Sequence, residues 1–171
     1  KEAFHGRSGY ALSMTNTFNL NKTKYYTKFS WPRITNPKMR FPLTNENLKK
    51  IANLEKQALS EIDAAIAQHP DDIAALIIEP IQGEGGDNHF REEFFQQLRT
   101  ICDEHEIMFI LDEVQSGVGL TGKMWAYQHF DFQPDILAFR KKTQICGIMV
   151  SNRVDEVKEN VFVVPSRLNS T

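Results

Sequence analysis

Apolar residues follow two different spacings along this chain, one typical of helices and one typical of buried strands. Positions three or four residues apart are apolar from Asn45 to Gln68 and again over 94–102, which predicts two amphipathic helices. Short unbroken apolar runs predict buried β-strands at 73–78, 107–111, 135–139 and 145–150. Because strand, helix and strand in this order form a βαβ unit, the pattern predicts an α/β fold with a mainly parallel sheet and flanking helices.

Two segments follow neither spacing. Residues 1–42 are rich in Thr, Asn, aromatic residues and proline, which predicts an extended, mostly irregular path. A short apolar patch at 125–130 predicts a further helical segment before the third strand. We find no repeat and no linker along the sequence, so the pattern indicates one domain.

Composition and charge narrow the class of protein. The 171 residues carry 20 Lys and Arg against 22 Asp and Glu, and 41% of them are hydrophobic. This balance gives no electrostatic footprint for nucleic acid, and no apolar run is long enough to span a membrane. We therefore expect small molecules or other protein chains as partners. Two cysteines are too few for a disulfide framework and predict reduced thiols in a cytoplasmic protein.

Charged residues follow three of the predicted strands directly. Glu79 follows the first strand, Asp112 and Glu113 follow the second, and Lys141 and Lys142 follow the third. Ligands of open α/β sheets bind outside the carboxyl ends of the strands, so we expect these side chains to converge on one rim. A strand must end in something polar in any case, so this placement alone leaves a purely structural role open.

Two other kinds of site are not supported by the residues. Residues 117–123 have the glycine and lysine spacing of a phosphate-binding loop, but Met124 stands where the loop needs Ser or Thr. This glycine segment also begins only five residues after Asp112, too close to that strand end for the strand–loop–helix arrangement that a phosphate-binding loop requires. The five histidines are scattered without the spacing of metal ligands, so we predict no metal site.

Several short motifs occur in the order seen in one enzyme family. They are FHGR at 4–7, EPIQGEGG at 79–86, LDEVQ at 111–115, GLTG at 119–122 and PDILAFRK at 134–141. In this combination the chain resembles the class III, fold type I, pyridoxal-phosphate-dependent aminotransferases over essentially its whole length. The segments at 141–147, 154–157 and 164–171 resemble the branch that acts on lysine, whereas FSWP at 29–32 and EGGDNH at 84–89 also resemble the 4-aminobutyrate branch.

The resemblance implies a role for each residue that would hold pyridoxal 5'-phosphate. Lys141 is the catalytic residue, which forms the Schiff base with the cofactor and later moves a proton between the substrate carbon and the cofactor. Asp112 lies against the pyridine nitrogen, and the cofactor-binding set also includes His5. Val114 and Phe4 cover the two faces of the ring, and Gln115 binds the ring hydroxyl. Thr171 reaches the phosphate of the neighbouring subunit's cofactor.

Two further residues are implied in substrate binding. Arg7 holds a substrate carboxylate, for which its planar guanidinium is suited. Glu84 pairs with a second arginine, which lies in the C-terminal part of the family's chains, while the amine donor is bound, and moves away for 2-oxoglutarate.

Glu79 helps to shape the site. Leu120 stands where iron–sulfur members have cysteine, so no cluster is implied. Arg140 departs from the family pattern, which has a small residue directly before the Schiff-base lysine. We therefore expect weak cofactor binding.

The function implied is transfer of the terminal amino group of L-lysine to 2-oxoglutarate, giving 2-aminoadipate 6-semialdehyde and glutamate, in a homodimer. Two alternatives remain open: an ω-aminotransferase acting on 4-aminobutyrate or ornithine, and a non-catalytic remnant of such an enzyme. Because the sequence begins at Lys1 without the family's phosphate loop, and ends at Thr171 before the small domain, we expect residues 1–171 to be part of the large domain.

Overall fold

The computed structural model describes residues 1–163. In chain order, its helices are α1 (Gly9–Met14), α2 (Asn45–Gln68) and α3 (Glu92–Glu104), its strands are β1 (Ala75–Ile78), β2 (Ile81–Gln82), β3 (Asn88–His89), β4 (Met108–Asp112), β5 (Ile136–Phe139) and β6 (Gly147–Val150), and short 3₁₀ helices cover Leu20–Lys22, Ala126–His129 and Asn152–Glu156. None of these helices in the described part of the chain is both long and apolar enough to cross a membrane.

A four-stranded sheet in the order β1-β4-β5-β6 organises the molecule. β4 pairs in parallel with β1 on one side and with β5 on the other, whereas β6 pairs antiparallel with β5. The predicted α/β fold with a mainly parallel sheet is therefore confirmed. β6 pairs antiparallel because its connection to β5 is short. The few residues between the two strands cannot make the crossover that parallel strands need.

The two long helices lie where the helical spacing predicts them. α2 begins after Thr44, whose side chain accepts a hydrogen bond from the backbone N–H of Asn47. It ends at Gln68, and its C-cap His69 directly precedes Pro70. α3 buries one face completely, with Phe94, Phe95, Leu98 and Cys102 packed against β4. Burial of this face and of the apolar face of α2 gives the sheet its hydrophobic core.

Two predicted strands are wrong at their first residues. The first and fourth strands are shorter than predicted, because they begin at Ala75 and Gly147 rather than at residues 73 and 145. Ile145 lies in the loop between β5 and β6 and is 71% exposed, so this apolar residue is not part of a buried strand. The helical segment predicted at 125–130 is confirmed as a 3₁₀ helix over Ala126–His129, whereas β2 and β3 were missed because two-residue strands are too short to show a period.

Candidate active site

The carboxyl ends of the three parallel strands lie at one edge of the sheet. Glu79 directly follows β1, Asp112 ends β4, and Lys141 comes two residues after β5. Glu79 and Asp112 are buried and close enough to interact electrostatically, whereas Lys141 is exposed. Glu79, Asp112 and Lys141 therefore follow strands at this edge of the sheet as predicted, whereas Glu113 does not face it.

Asp112 is fixed at the rim by two hydrogen bonds. Its Oδ2 lies 2.9 Å from Nδ1 of His5, and its Oδ1 accepts a hydrogen bond of 3.0 Å from the backbone N–H of Val114. Both side chains are almost fully buried. A carboxylate can accept about four hydrogen bonds, so Asp112 keeps acceptor capacity for one more donor, such as a protonated ring nitrogen.

Backbone contacts of the FHGR segment bring Phe4 and His5 to this edge. The N–H of Phe4 donates to Oε1 of Glu79 at 2.8 Å, and the N–H of His5 donates to Oγ1 of Thr15 at 3.0 Å. The Thr15 hydroxyl in turn donates to the carbonyl of Gly6 at 2.9 Å. Glu79 and Thr15 thus hold the segment so that the His5 ring meets Asp112.

Glu79 sits in an environment that disfavours its charged form. Burial raises the pKa of Glu79 to about 7, and the neighbouring carboxylates of Asp112 and Glu84 act in the same direction. The hydrogen bond from Phe4 and the electrostatic interaction with His5 lower the pKa of Glu79 without cancelling this shift. Glu79 is thus a buried acid next to the His5–Asp112 pair.

Glu113 does not belong to the rim, contrary to the prediction. Its carboxylate is fully buried and accepts hydrogen bonds from the backbone N–H groups of Ala126 at 2.7 Å and Tyr127 at 2.8 Å. Burial raises the pKa of Glu113 despite these bonds. Successive residues at a strand end point to opposite sides of the sheet. Asp112 therefore faces the rim, whereas Glu113 faces the other side and binds the backbone of the loop 113–127.

Gln115 and Gly83 lie in close contact. A Cβ at Gly83 would stand 1.7 Å from Oε1 of Gln115, so only glycine leaves room for this amide. The backbone carbonyl of Gln115 accepts a hydrogen bond from the ammonium of Lys142. Val114 and Gln115 are both half-buried, as residues that line a ligand site commonly are.

Lys141 lies in a strained turn. Its φ is 62°, in the left-handed region that non-glycine residues rarely adopt, and its carbonyl accepts hydrogen bonds from the backbone and side chain of Gln144. Arg140 next to it is exposed. Six other non-glycine residues of the described part share a positive φ, so the catalytic role of Lys141 stays a prediction.

Of the two residues predicted to bind substrate, Arg7 lies beside Phe4 and Glu84 lies beside Lys22, which is also next to Phe4. The guanidinium of Arg7 lies 6.0 Å from the centre of the Phe4 ring, and Nζ of Lys22 lies 5.5 Å from it. Glu84 forms an ion pair with Lys22 and accepts a hydrogen bond of 2.9 Å from Thr17, while its Oε2 is buried without a hydrogen-bond partner among residues 1–163. Sequence reasoning missed Lys22, because the segment around it shows no periodicity.

The remaining predictions for this region concern a phosphate loop, a metal site and Thr171. The glycine segment forms a turn, with Gly119 and Gly122 at positive φ, and is not the start of a helix. Within residues 1–163 no group of three or more His, Cys, Asp or Glu side chains could hold a metal. Thr171 lies outside the described residues, so its role stays a prediction.

The fold and the family comparison together define the class of protein. The mainly parallel sheet with flanking helices matches the fold of solved fold type I aminotransferases. The chain belongs to the class-III aminotransferase family, whose model matches residues 1–167.

Known proteins of this family are similar over nearly the whole chain. The L-lysine-epsilon aminotransferase of Mycobacterium tuberculosis is 57% identical over 99% of the chain and 37% of its own length. A 4-aminobutyrate aminotransferase of Emericella nidulans is 41% identical over 89% of the chain and 30% of its own length. The structure of lysine aminotransferase from M. tuberculosis in the internal aldimine form superposes with a TM-score of 0.94, at 57% identity, over 100% of the chain and 38% of that protein. The chain thus spans well under half the length of these relatives.

Proposed function

We propose that residues 1–171 form part of the cofactor-binding large domain of an aminotransferase that moves the terminal amino group of L-lysine to 2-oxoglutarate. The products would be 2-aminoadipate 6-semialdehyde and glutamate. The observation that carries the proposal is the buried Asp112, held by His5 and Val114 at the carboxyl end of β4. The choice of lysine rests on the higher identity to the lysine-epsilon aminotransferase than to the 4-aminobutyrate aminotransferase.

The residues at the rim fit pyridoxal 5'-phosphate. When bound, this cofactor supplies an electron sink for the electron pair left on the substrate carbon. Asp112 has acceptor capacity left for the protonated pyridine nitrogen, and its two existing hydrogen bonds fix its orientation. Gln115, packed on Gly83, would donate from its amide to the ring hydroxyl.

Three side chains would handle the substrate and its proton. Lys141 would hold the cofactor through its ε-amino group and, once released, would carry the proton from and to the substrate carbon. Arg7 would bind the substrate carboxylate with its guanidinium, for which it is exposed and next to Phe4. Glu84 would accept a hydrogen bond from a donor group at its free Oε2.

The test uses the protein expressed from its complete reading frame. After incubation with the cofactor and borohydride, which fixes the cofactor to the amine that holds it, peptide mass mapping is expected to find the label on Lys141 and not on the adjacent Lys142. Lysine with 2-oxoglutarate is expected to yield glutamate, and Lys141→Ala is expected to abolish both results. Turnover of 4-aminobutyrate or ornithine without lysine would favour the alternative donors. Label on no lysine, and no turnover, would mean a non-catalytic remnant.

Arg140 provides a further test at the same turn. It is exposed and directly precedes Lys141, so we propose that its charge and bulk weaken cofactor binding. Arg140→Gly is expected to bind pyridoxal phosphate more tightly, as measured by equilibrium dialysis, with Arg40→Gly as the control at a distant exposed arginine. Equal or weaker binding by Arg140→Gly would contradict this.

We also propose that the enzyme is a cytoplasmic homodimer. The free thiols of Cys102 and Cys146 support a reducing location. Light scattering of the complete protein measures the oligomeric state directly.

A further inference from the structure

The turn at 83–87, which joins β2 to β3, packs against two parts of the candidate site. A Cβ at Gly83 would stand 1.7 Å from Oε1 of Gln115. A Cβ at Gly85 would stand 2.4 Å from the backbone carbonyl of Glu2, close in sequence to the FHGR motif. The turn therefore contacts Gln115 through one glycine and the start of the chain through the other.

The side chain of Asn88 holds this turn. Its Nδ2 donates to the carbonyl of Gly85 at 3.0 Å. The same nitrogen donates to Oε1 of Gln82 at 2.9 Å and to Oε2 of Glu2 at 3.0 Å. An amide nitrogen carries two hydrogens, so these three acceptors share them. Because Asn88 and Gln82 are both buried, one amide ties the turn to β2 and to Glu2 away from water.

Of the three acceptors, the carbonyl of Gly85 depends most on Asn88. The carboxylate of Glu2 also accepts a hydrogen bond from Lys38 at 2.6 Å, and Gln82 accepts one from a second amide at 2.8 Å. Among residues 1–163, the described hydrogen bonds give the carbonyl of Gly85 no donor other than Asn88. Loss of the Asn88 amide would therefore release the turn, whereas Glu2 and Gln82 would keep other donors.

The position of the turn decides where the amide of Gln115 can lie. Because Gly83 has no side chain, its backbone forms the surface on which this amide packs. The tip of the turn is exposed at Gly86 and Asp87, so it has room to move into solvent. A turn released from Asn88 can thus shift away from Gln115, and the amide then loses the surface that fixes its orientation.

We propose that the turn 83–87 positions the amide of Gln115, and that Asn88 is the positioning residue that fixes this turn. This rests on the proposed function, in which Gln115 donates to the ring hydroxyl of pyridoxal 5'-phosphate. Asn88 acts through the turn and not by touching the cofactor. Removing its amide is therefore equivalent to loosening the one hydrogen bond that Gln115 makes with the ring.

The experiment measures the affinity of the complete protein for pyridoxal 5'-phosphate by equilibrium dialysis. Asn88→Ala is expected to weaken binding about fivefold, the effect of one hydrogen bond that is no longer held in place. Gly83→Ala places a methyl group in the space of the Gln115 amide and is expected to weaken binding by a similar factor. His89→Ala, at the adjacent exposed position of β3, is the control and is expected to bind the cofactor like the wild type.

A double variant separates positioning from general damage to the fold. If Asn88 acts through Gln115, adding Asn88→Ala to Gln115→Ala is expected to weaken cofactor binding no further. Weakening by the same factor in both backgrounds would overturn the inference, because Asn88 would then act by another route. Gly83→Ala is tested in the same two backgrounds. It leaves the contacts of Asn88 unchanged, so it keeps the test decisive if Asn88→Ala fails to fold.

The absorbance of the bound cofactor gives a second readout. A donor to the ring hydroxyl oxygen favours its ionised form, so loss of this donor moves the midpoint of the pH-dependent absorbance change to higher pH. Asn88→Ala and Gln115→Ala are expected to move the midpoint in this direction, and His89→Ala is expected to leave it in place. A midpoint that moves in Gln115→Ala but not in Asn88→Ala would overturn the inference and leave the proposed function intact. Absence of cofactor binding by the wild type would overturn both.

Discussion

The buried acid Glu79 should make the stability of the protein depend on pH in a way that one substitution removes. Burial raises its pKa from 4.5 to about 7, so the folded state holds the proton more tightly than the unfolded state does. The stabilisation from the bound proton is complete below pH 4.5 and is lost as the pH rises through 7. Above that pH the folded protein carries a poorly solvated carboxylate.

The magnitude follows from the size of the shift. A pKa change of one unit corresponds to about 1.4 kcal/mol, so the shift at Glu79 corresponds to about 3 kcal/mol between the two ends of the range. Glu79→Gln has no charge at any pH, and its amide oxygen can still accept the hydrogen bond from Phe4. Relative to the wild type, the variant should therefore gain about 3 kcal/mol of unfolding free energy from below pH 4.5 to above pH 7.

The assay is urea unfolding followed by tryptophan fluorescence at pH values across this range. Comparing wild type and variant at each pH cancels the other groups that titrate in both proteins. Glu104→Gln, which removes an exposed carboxylate at the end of α3, is the matched control and should differ little from the wild type at any pH. Parallel pH profiles for wild type and Glu79→Gln would refute the reasoning, because they would mean that Glu79 is solvated in the folded state.

Three further predictions test the core and the thiols. Leu98→Ala, at a fully buried position, should lower the unfolding free energy by about 3 kcal/mol in urea denaturation, whereas its exposed neighbour in Gln97→Ala should have little effect. Iodoacetamide should label Cys146 but not Cys102 in the native protein, because burial raises the pKa of Cys102 to about 12, and mass mapping that finds native Cys102 labelled would contradict this. Glu113→Leu should cost about 3 kcal/mol by leaving two backbone N–H groups without an acceptor, and Glu113→Gln should cost less; equal stability of both variants would show that these bonds are not needed.

The parts of the fold that could be predicted from the sequence are those in which one face of an element is buried. The apolar spacing over Asn45–Gln68 predicts α2 to the residue, because Thr44 and Pro70 mark its two ends chemically. The run at 107–111 predicts β4 within one residue. The β2–β3 hairpin has no such spacing, since its strands pair through only two residues each.

The candidate site shows where this kind of prediction stops, because its side chains are paired by contacts between distant loops. Asp112 and Glu113 are adjacent acids that their placement after a strand does not distinguish, yet one faces His5 and the other binds the loop behind the sheet. The difference depends on which side of the strand end each residue faces, and on a histidine more than a hundred positions away. Lys22 is the stronger case, since only the folded chain brings it to Glu84 across 62 residues. Side chains such as Lys22 and Glu84 determine the charge of the site. Which ligand the site selects therefore depends on three-dimensional contacts, even where the sequence makes the fold and the family clear.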